Sequence, residues 1–204
     1  MSSFDERAAT WDDEAKTERA RAVASAIRRA VPLAGSTRVL EYGAGTGLVS
    51  QALAGSVGPL TLADPSTGMR DVMHAKVATG ALPADTRVWD LDLSVADLPG
   101  DRFDLIVSVM TLHHILDLAP VLDGFARLLD VGGRLCVVDL VKEDGSFHRG
   151  LEFDGHHGFD TGDLSARLGS AGFTGVRVEQ VYDVVKDGAT YPLFLAVGTK
   201  TART

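Results

Sequence analysis

Cysteine is almost missing from this chain. One residue, Cys136, in 204 excludes an intrachain disulfide framework and a cysteine-rich zinc site. No apolar run reaches the roughly 18 residues that a membrane span needs. The first residues, MSSFDERAATWDDE, have neither the basic nor the apolar region of a secretory signal, so a cytoplasmic location is expected. Positive charge is in deficit. Twenty Lys and Arg face 28 Asp and Glu, for a net charge of −8. A field of that sign disfavours extended contact with phosphate backbones or anionic lipid, so neither nucleic acid nor membrane is expected as a partner. No repeat, low-complexity tract or linker-like shift divides the chain, and its length suits a single domain over 1–204.

What the chain does hold is 22 glycines and an alternating pattern. Apolar positions at helical spacing within Asp12–Ala30 predict a helix that Pro32 stops. Strand-like runs follow at Thr37–Glu41, Leu60–Ala63, Arg87–Leu91, Phe103–Val109 and Arg134–Leu140. Helical stretches lie between them, around Leu48–Leu53, over Ser66–Ala78, and from Pro120 to a stop at Gly132 and Gly133. Thr161–Ala171 is a last helix, and Val176–Val185 and Thr190–Lys200 are two strands joined through Asp187-Gly188, a hairpin signal. Five alternations predict an α/β fold, a mostly parallel sheet with helices on both faces and a C-terminal antiparallel hairpin. Its binding crevice belongs at the carboxyl ends of the strands, where strand order reverses. The stretch 141–160 has no period, and a loop of that length is commonly functional or disordered.

The first strand runs into Glu41-Tyr42-Gly43-Ala44-Gly45-Thr46-Gly47-Leu48. Glycines in a strand-to-helix turn let backbone approach a ligand closely. The spacing is G-x-G-x-G, and Leu48 stands where a dinucleotide fingerprint wants its third glycine. Glu41, two positions before the first glycine, would repel a pyrophosphate and suits a cationic or amine-bearing ligand. The P-loop lysine is missing as well.

VLEYGAGTG resembles the first motif of class I S-adenosylmethionine (SAM) dependent methyltransferases. The other motifs of that family follow in order. Asp64 ends the second strand, within Asp64-Pro65-Ser66-Thr67-Gly68-Met69. Asp92 and Leu93 follow the third. FDLIVSVM and Leu112-His113-His114 mark the fourth, and LLDVGGRLCVVD resembles the next. The resemblance covers about 35–140 closely and implies a Rossmann-like, doubly wound, seven-stranded sheet. It implies SAM as cofactor, bound by Glu41, Tyr42, Gly43, Ala44, Gly45, Gly47, Asp64, Pro65, Met69, Asp92, Leu93 and Ser108. Asp64 would take the ribose hydroxyls, Asp92 would lie near the adenine amino group, and Met69 and Leu93 would pack on the ring. Taken singly, Asp64 could be a helix cap, Asp92 a turn residue and Met69 a core residue. The same resemblance divides the chain into an N-terminal helix and lid (1–34), a SAM-binding core (35–140), a substrate loop (141–160) and a C-terminal helix and hairpin (161–204). Trp11 and Phe4 would belong to the lid, or would staple the first helix to the core.

Methyl transfer from a sulfonium needs alignment above all. A base is required only if the acceptor must lose a proton. After the fourth strand the residues are Ser108-Val109-Met110-Thr111, without the Asn/Asp-Pro-Pro-aromatic motif of enzymes that methylate nucleobase or glutamine nitrogens. Cys136, inside a strand, is badly placed as a nucleophile. With the acidic balance, these absences point to a small-molecule acceptor. Five of six histidines flank the expected crevice: His113 and His114, then His148, His156 and His157. His157 and His113 are the candidate proton acceptors, although the His113-His114 pair could be structural. The loop histidines could instead anchor the acceptor, or bind a metal with Glu143, Asp144, Glu152 and Asp154; no recognised ligand spacing supports that, and no metal is assigned. A non-catalytic SAM-binding protein and, less favoured by Glu41 and Leu48, a nicotinamide oxidoreductase are the alternatives. Tyr182 and Lys186 match a dehydrogenase dyad. In a strand, however, positions four apart are separated by about 13 Å.

Overall fold

The computed structural model describes residues 3–150 and 152–202. Positions 1–2, 151 and 203–204, which fall within the expected lid, loop and C-terminal segments, lie outside the described residues. The apolar runs form β1 (Val39–Tyr42), β2 (Leu60–Ala63), β3 (Arg87–Trp89), β4 (Phe103–Val109) and β5 (Leu129–Leu140), all paired in parallel. β6 (Phe173–Lys186) and β7 (Ala189–Lys200) form the antiparallel hairpin. Asp187 and Gly188 both take positive φ at its turn, the conformation that matches strand twist. β7 inserts beside β5, so the seven-stranded order is β3-β2-β1-β4-β5-β7-β6. Strand order reverses between β1 and β4.

Among the described residues six α-helices connect or flank the strands: α1 (Ser3–Arg7), α2 (Glu14–Ala30), α3 (Leu48–Leu53), α4 (Thr67–Ala78), α5 (Leu118–Leu128) and α6 (Thr161–Ser170). Side chains of Asp13, Ser66, Asp117 and Asp160 accept backbone N–H groups at the starts of α2, α4, α5 and α6. Each satisfies donors that the first helical turn leaves open. Two apolar cores sandwich the sheet. Val39, Leu60, Leu62 and Leu105 pack with α2 and α3 on one face, and Leu40, Ile106, Leu135 and Val137 pack with α5 and α6 on the other.

Element boundaries differ from the sequence expectation by a few residues at several places, most clearly around α5 and β3. Gly132 and Gly133 do not end α5, which stops at Leu128; they lie inside β5. The chain turns into β5 at once, and the register beside β4 slips between Phe103 and Leu105. Gly132 takes φ 86° there. β3 also ends at Trp89 rather than Leu91. Tyr182 and Lys186 both sit in β6, so they form no helical dyad. Asp104 bonds the backbone and guanidinium of Arg38 at the start of β4, at the opposite end of the sheet from the crevice.

Candidate active site

Gly43, Gly45 and Gly47 all adopt left-handed backbone, with φ of 68°, 56° and 80°, which side chains disfavour. Each serves a separate need. A Cβ on Gly43 would lie 2.2 Å from Cγ2 of Thr111, whose hydroxyl donates to the Gly43 carbonyl at 3.1 Å. The missing side chain thus lets the β1 and β4 loops touch. A Cβ on Gly47 would strike Leu62 at 2.6 Å. Gly45 is different: a Cβ there meets nothing nearer than Trp11 Nε1 at 3.7 Å. Its N–H donates to Asp64 Oδ2 at 2.8 Å, tying the loop to the end of β2.

Alternation along β1 sends consecutive side chains to opposite faces. Glu41 faces α3 and is 3% exposed. It accepts the Ser50 N–H at 2.9 Å, a first-turn donor of a helix whose cap, Gly47, has no side chain to offer. Burial pushes the Glu41 carboxyl up to about 7, against the bond from Ser50 and the charge of Lys76. Its unfolded value is near 4.5, so the folded state holds the proton more tightly. The stabilisation is fully present below about 4.5 and is lost as pH rises through about 7. Glu41→Gln should therefore show a weaker decline in stability from pH 5 to pH 8 than the parent, as measured by urea midpoints at the two pH values; parallel declines would rule it out. Tyr42 faces the other way. Its hydroxyl accepts the Leu93 N–H at 3.1 Å, and burial raises its pKa.

A cavity of about 630 Å³ opens at this end of the sheet. Tyr42, Gly43, Gly45, Asp64, Pro65, Met69 and Asp92 line it. Asp64 takes N–H groups from Gly45 and Ser66, while its burial raises the carboxyl pKa. Asp92 accepts from the backbone and hydroxyl of Ser94. Asp90 points away and pairs with Arg70 at 3.1 Å. Five expected residues do not line this cavity. Glu41 and Ala44 border a smaller space of about 70 Å³ behind the loop. Leu93 is buried against Gly124, and Ser108 is 1% exposed with its Oγ unpartnered. Gly47 likewise stands back, at the cap of α3. The N-terminal segment closes one side: Phe4 lines the cavity, and Asp5 accepts from Ser66 Oγ at 2.6 Å and Gly68 N at 3.0 Å.

The two proposed proton acceptors stand elsewhere. His157 is half exposed, 3.6 Å from Glu143, and His113 is buried with Nδ1 2.6 Å from Asp139 Oδ1; neither lines the cavity. His114 does. Its surroundings and the neighbouring His113 and His148 hold its pKa down to about 4. Burial does the same to His148. Met110, to which its motif assigned no role, lines the cavity at φ 54°, strained for a residue with a side chain. Its N–H bonds Val138, so the pairing of β4 with β5 enforces the turn.

The doubly wound sheet, the left-handed glycine turn and acids at successive strand ends define a nucleotide-type cofactor site at a topological switch point. The profile of the methyltransferase-domain family matches residues 15–178. The chain belongs to that family, and its fold and motif order are those of the class I, SAM-dependent branch. An uncharacterized methyltransferase of Schizosaccharomyces pombe is 35% identical over 134 residues, 59% of this chain and 47% of that protein. A ubiquinone biosynthesis O-methyltransferase of Xylella fastidiosa is 35% identical over 111 residues, 54% of this chain and 44% of that protein. The matched stretch thus spans about half the length of these relatives. Among solved structures, a Haloferax volcanii methyltransferase in complex with the Trm112 activator superposes with a TM-score of 0.81 at 18% identity, covering 99% of both chains.

Proposed function

We propose that this domain transfers a methyl group from SAM to a small-molecule acceptor. The observation that carries the reading is the meeting of Gly43, Gly45, Asp64 and Asp92 on one cavity of about 630 Å³. That volume lies within the roughly 300–1,000 Å³ of small-molecule sites. The residues suit the cofactor: Gly45 leaves open space beside the loop, and two carboxylates face the same cavity. When bound, SAM supplies a methyl group activated as a sulfonium, with a neutral leaving group. The chain's own part is placement. Asp64 would hold the ribose hydroxyls, Asp92 would sit by the adenine amino group, and Met69 would pack on the ring. Glu41 would support the loop from behind through α3, and Thr111 would pin its first glycine. Alignment of this kind can supply roughly 7–11 kcal/mol.

Several observations favour a small acceptor. The net charge is −8, Ser108-Val109-Met110-Thr111 lacks a nitrogen-methylating signature, and burial pushes the Cys136 thiol up to about 12. Two relatives are named for ubiquinone biosynthesis and for demethylmenaquinone methylation. Calorimetry with SAM, S-adenosylhomocysteine (SAH) and NAD tests the cofactor, and transfer of labelled methyl to a metabolite panel tests the chemistry. Binding of SAM and SAH without NAD, followed by labelled product, is expected. Failure of both adenosyl compounds to bind sinks the reading, and binding without transfer to any acceptor leaves a cofactor-binding protein.

A further inference from the structure

Two sequence-distant groups of histidines meet beside this cavity. His113 and His114 lie on the 3-10 turn Leu112–His114 after β4, and His148 on the turn Ser146–His148 after β5. Their ring centroids are 4.1 Å apart for His113 and His114, 5.2 Å for His113 and His148, and 5.8 Å for His114 and His148. One ring nitrogen from each lies within 4.8 Å of the others. We propose that His113, His114 and His148 form a divalent transition-metal site of the zinc class in the wall of the cavity.

Three features support it besides proximity. First, His113 Nδ1 is 2.6 Å from the buried Asp139 carboxylate, which leaves Nε2 as the available nitrogen. A carboxylate behind a histidine fixes tautomer and orientation in metal sites. Second, His148 is 7% exposed and its Nδ1 is a buried polar atom without a hydrogen-bond partner. Phe153 stacks on its ring at 3.6 Å and 5°, so the ring is held in place. Third, the donor set is three imidazoles, which suits zinc and its neighbours rather than magnesium or calcium. Three protein ligands leave a fourth position, and His114 turns the group toward the cavity.

A second group, Glu143, His148 and His157, shares His148. It is the weaker alternative, because the His157 side chain is 47% exposed and the carboxylate at its Nδ1, Glu143, stands at 3.6 Å, against 2.6 Å for Asp139 and His113.

The test uses the full chain, stripped with a chelator and then loaded with Zn²⁺ or Co²⁺. Metal content by mass spectrometry, Zn²⁺ affinity by competition with a chromophoric chelator, and the visible Co²⁺ spectrum are the readouts. One Zn²⁺ per chain and a Co²⁺ spectrum of low coordination number are expected. His148→Ala and His114→Ala should each weaken Zn²⁺ at least about 100-fold, and Asp139→Asn, which only supports His113, roughly 10–100-fold. His157→Ala should leave the affinity in place. Circular dichroism and SAH binding report whether each variant is folded, and the Zn²⁺ stoichiometry does not depend on the methyl-transfer reading. No metal bound by the parent chain overturns the proposal. Loss of Zn²⁺ on His157→Ala with none on His114→Ala also overturns it, and moves the ion to the second group.

Discussion

Gly45→Arg is expected to weaken SAH binding at least about 100-fold, or about 2.7 kcal/mol, while leaving the domain folded. At φ 56°, position 45 is left-handed, and a side chain there costs about 1–2 kcal/mol. For a chain of this length that strain lowers the melting temperature by about 2–8 °C, too little to unfold it. The space decides the rest. No atom within 3.5 Å resists the first carbon, and Gly45 lines the main cavity, so the guanidinium extends into the volume assigned to the cofactor. The substitution also places a cation beside Asp64, whose Oδ2 already takes the Gly45 N–H. The new pair would occupy the carboxylate proposed to hold the ribose. Calorimetry with SAH and a thermal melt on the same sample separate the two effects. An unchanged affinity removes the glycine loop from the site.

The parts of the fold visible in the sequence are those encoded locally. Phe103–Val109 is a run of seven with apolar residues on both faces, the pattern typical of a strand covered on both sides. Asp187-Gly188 specifies its turn by backbone preference alone. The glycine loop is legible for the same reason, and Asp64 and Asp92 follow because strand ends in this topology point to one crevice. The end of α5 is not legible in this way. Gly132 and Gly133 look like a helix stop, yet β5 begins at Leu129, because pairing with Phe103 captures the chain before the glycines are reached. The histidines mislead for a related reason. Nothing local in Gly155-His156-His157-Gly158 tells that His157 points to Glu143 and that His148 reaches His113 and His114. The contacts of His148 join residues about 35 positions apart, and both sets depend on how the 141–160 loop packs. The N-terminal segment is half visible: Phe4 and Trp11 mark it as one that packs on the domain, but its anchor is Asp5 on Ser66 and Gly68, a tertiary contact without a local signal.

Asp139→Ala is expected to destabilise the domain by about 3–5 kcal/mol, because it leaves several buried N–H groups without an acceptor at about 1–3 kcal/mol each. Asp139 is fully buried near the end of β5. Its carboxylate accepts the His113 N–H at 3.2 Å and the Leu140 N–H at 2.8 Å, and it lies 2.6 Å from His113 Nδ1. Alanine removes every one of these acceptors, and no other described polar side chain approaches His113 within hydrogen-bond distance. For about 200 residues the loss corresponds to a fall in melting temperature of about 6–20 °C. The damage extends to the site. His113 carries the turn that sets His114 in the cavity wall, and its carbonyl takes the His156 N–H at 2.7 Å, which holds the following loop. Asp139→Asn keeps the volume and one acceptor oxygen, so it should recover part of the loss. Urea denaturation of the two variants measures the difference between removing the acceptors and merely weakening them. A cost below about 1 kcal/mol for alanine would mean that water replaces the carboxylate. It would also mean that the Leu112–His114 turn is held by its contacts with the 141–160 loop and not by β5.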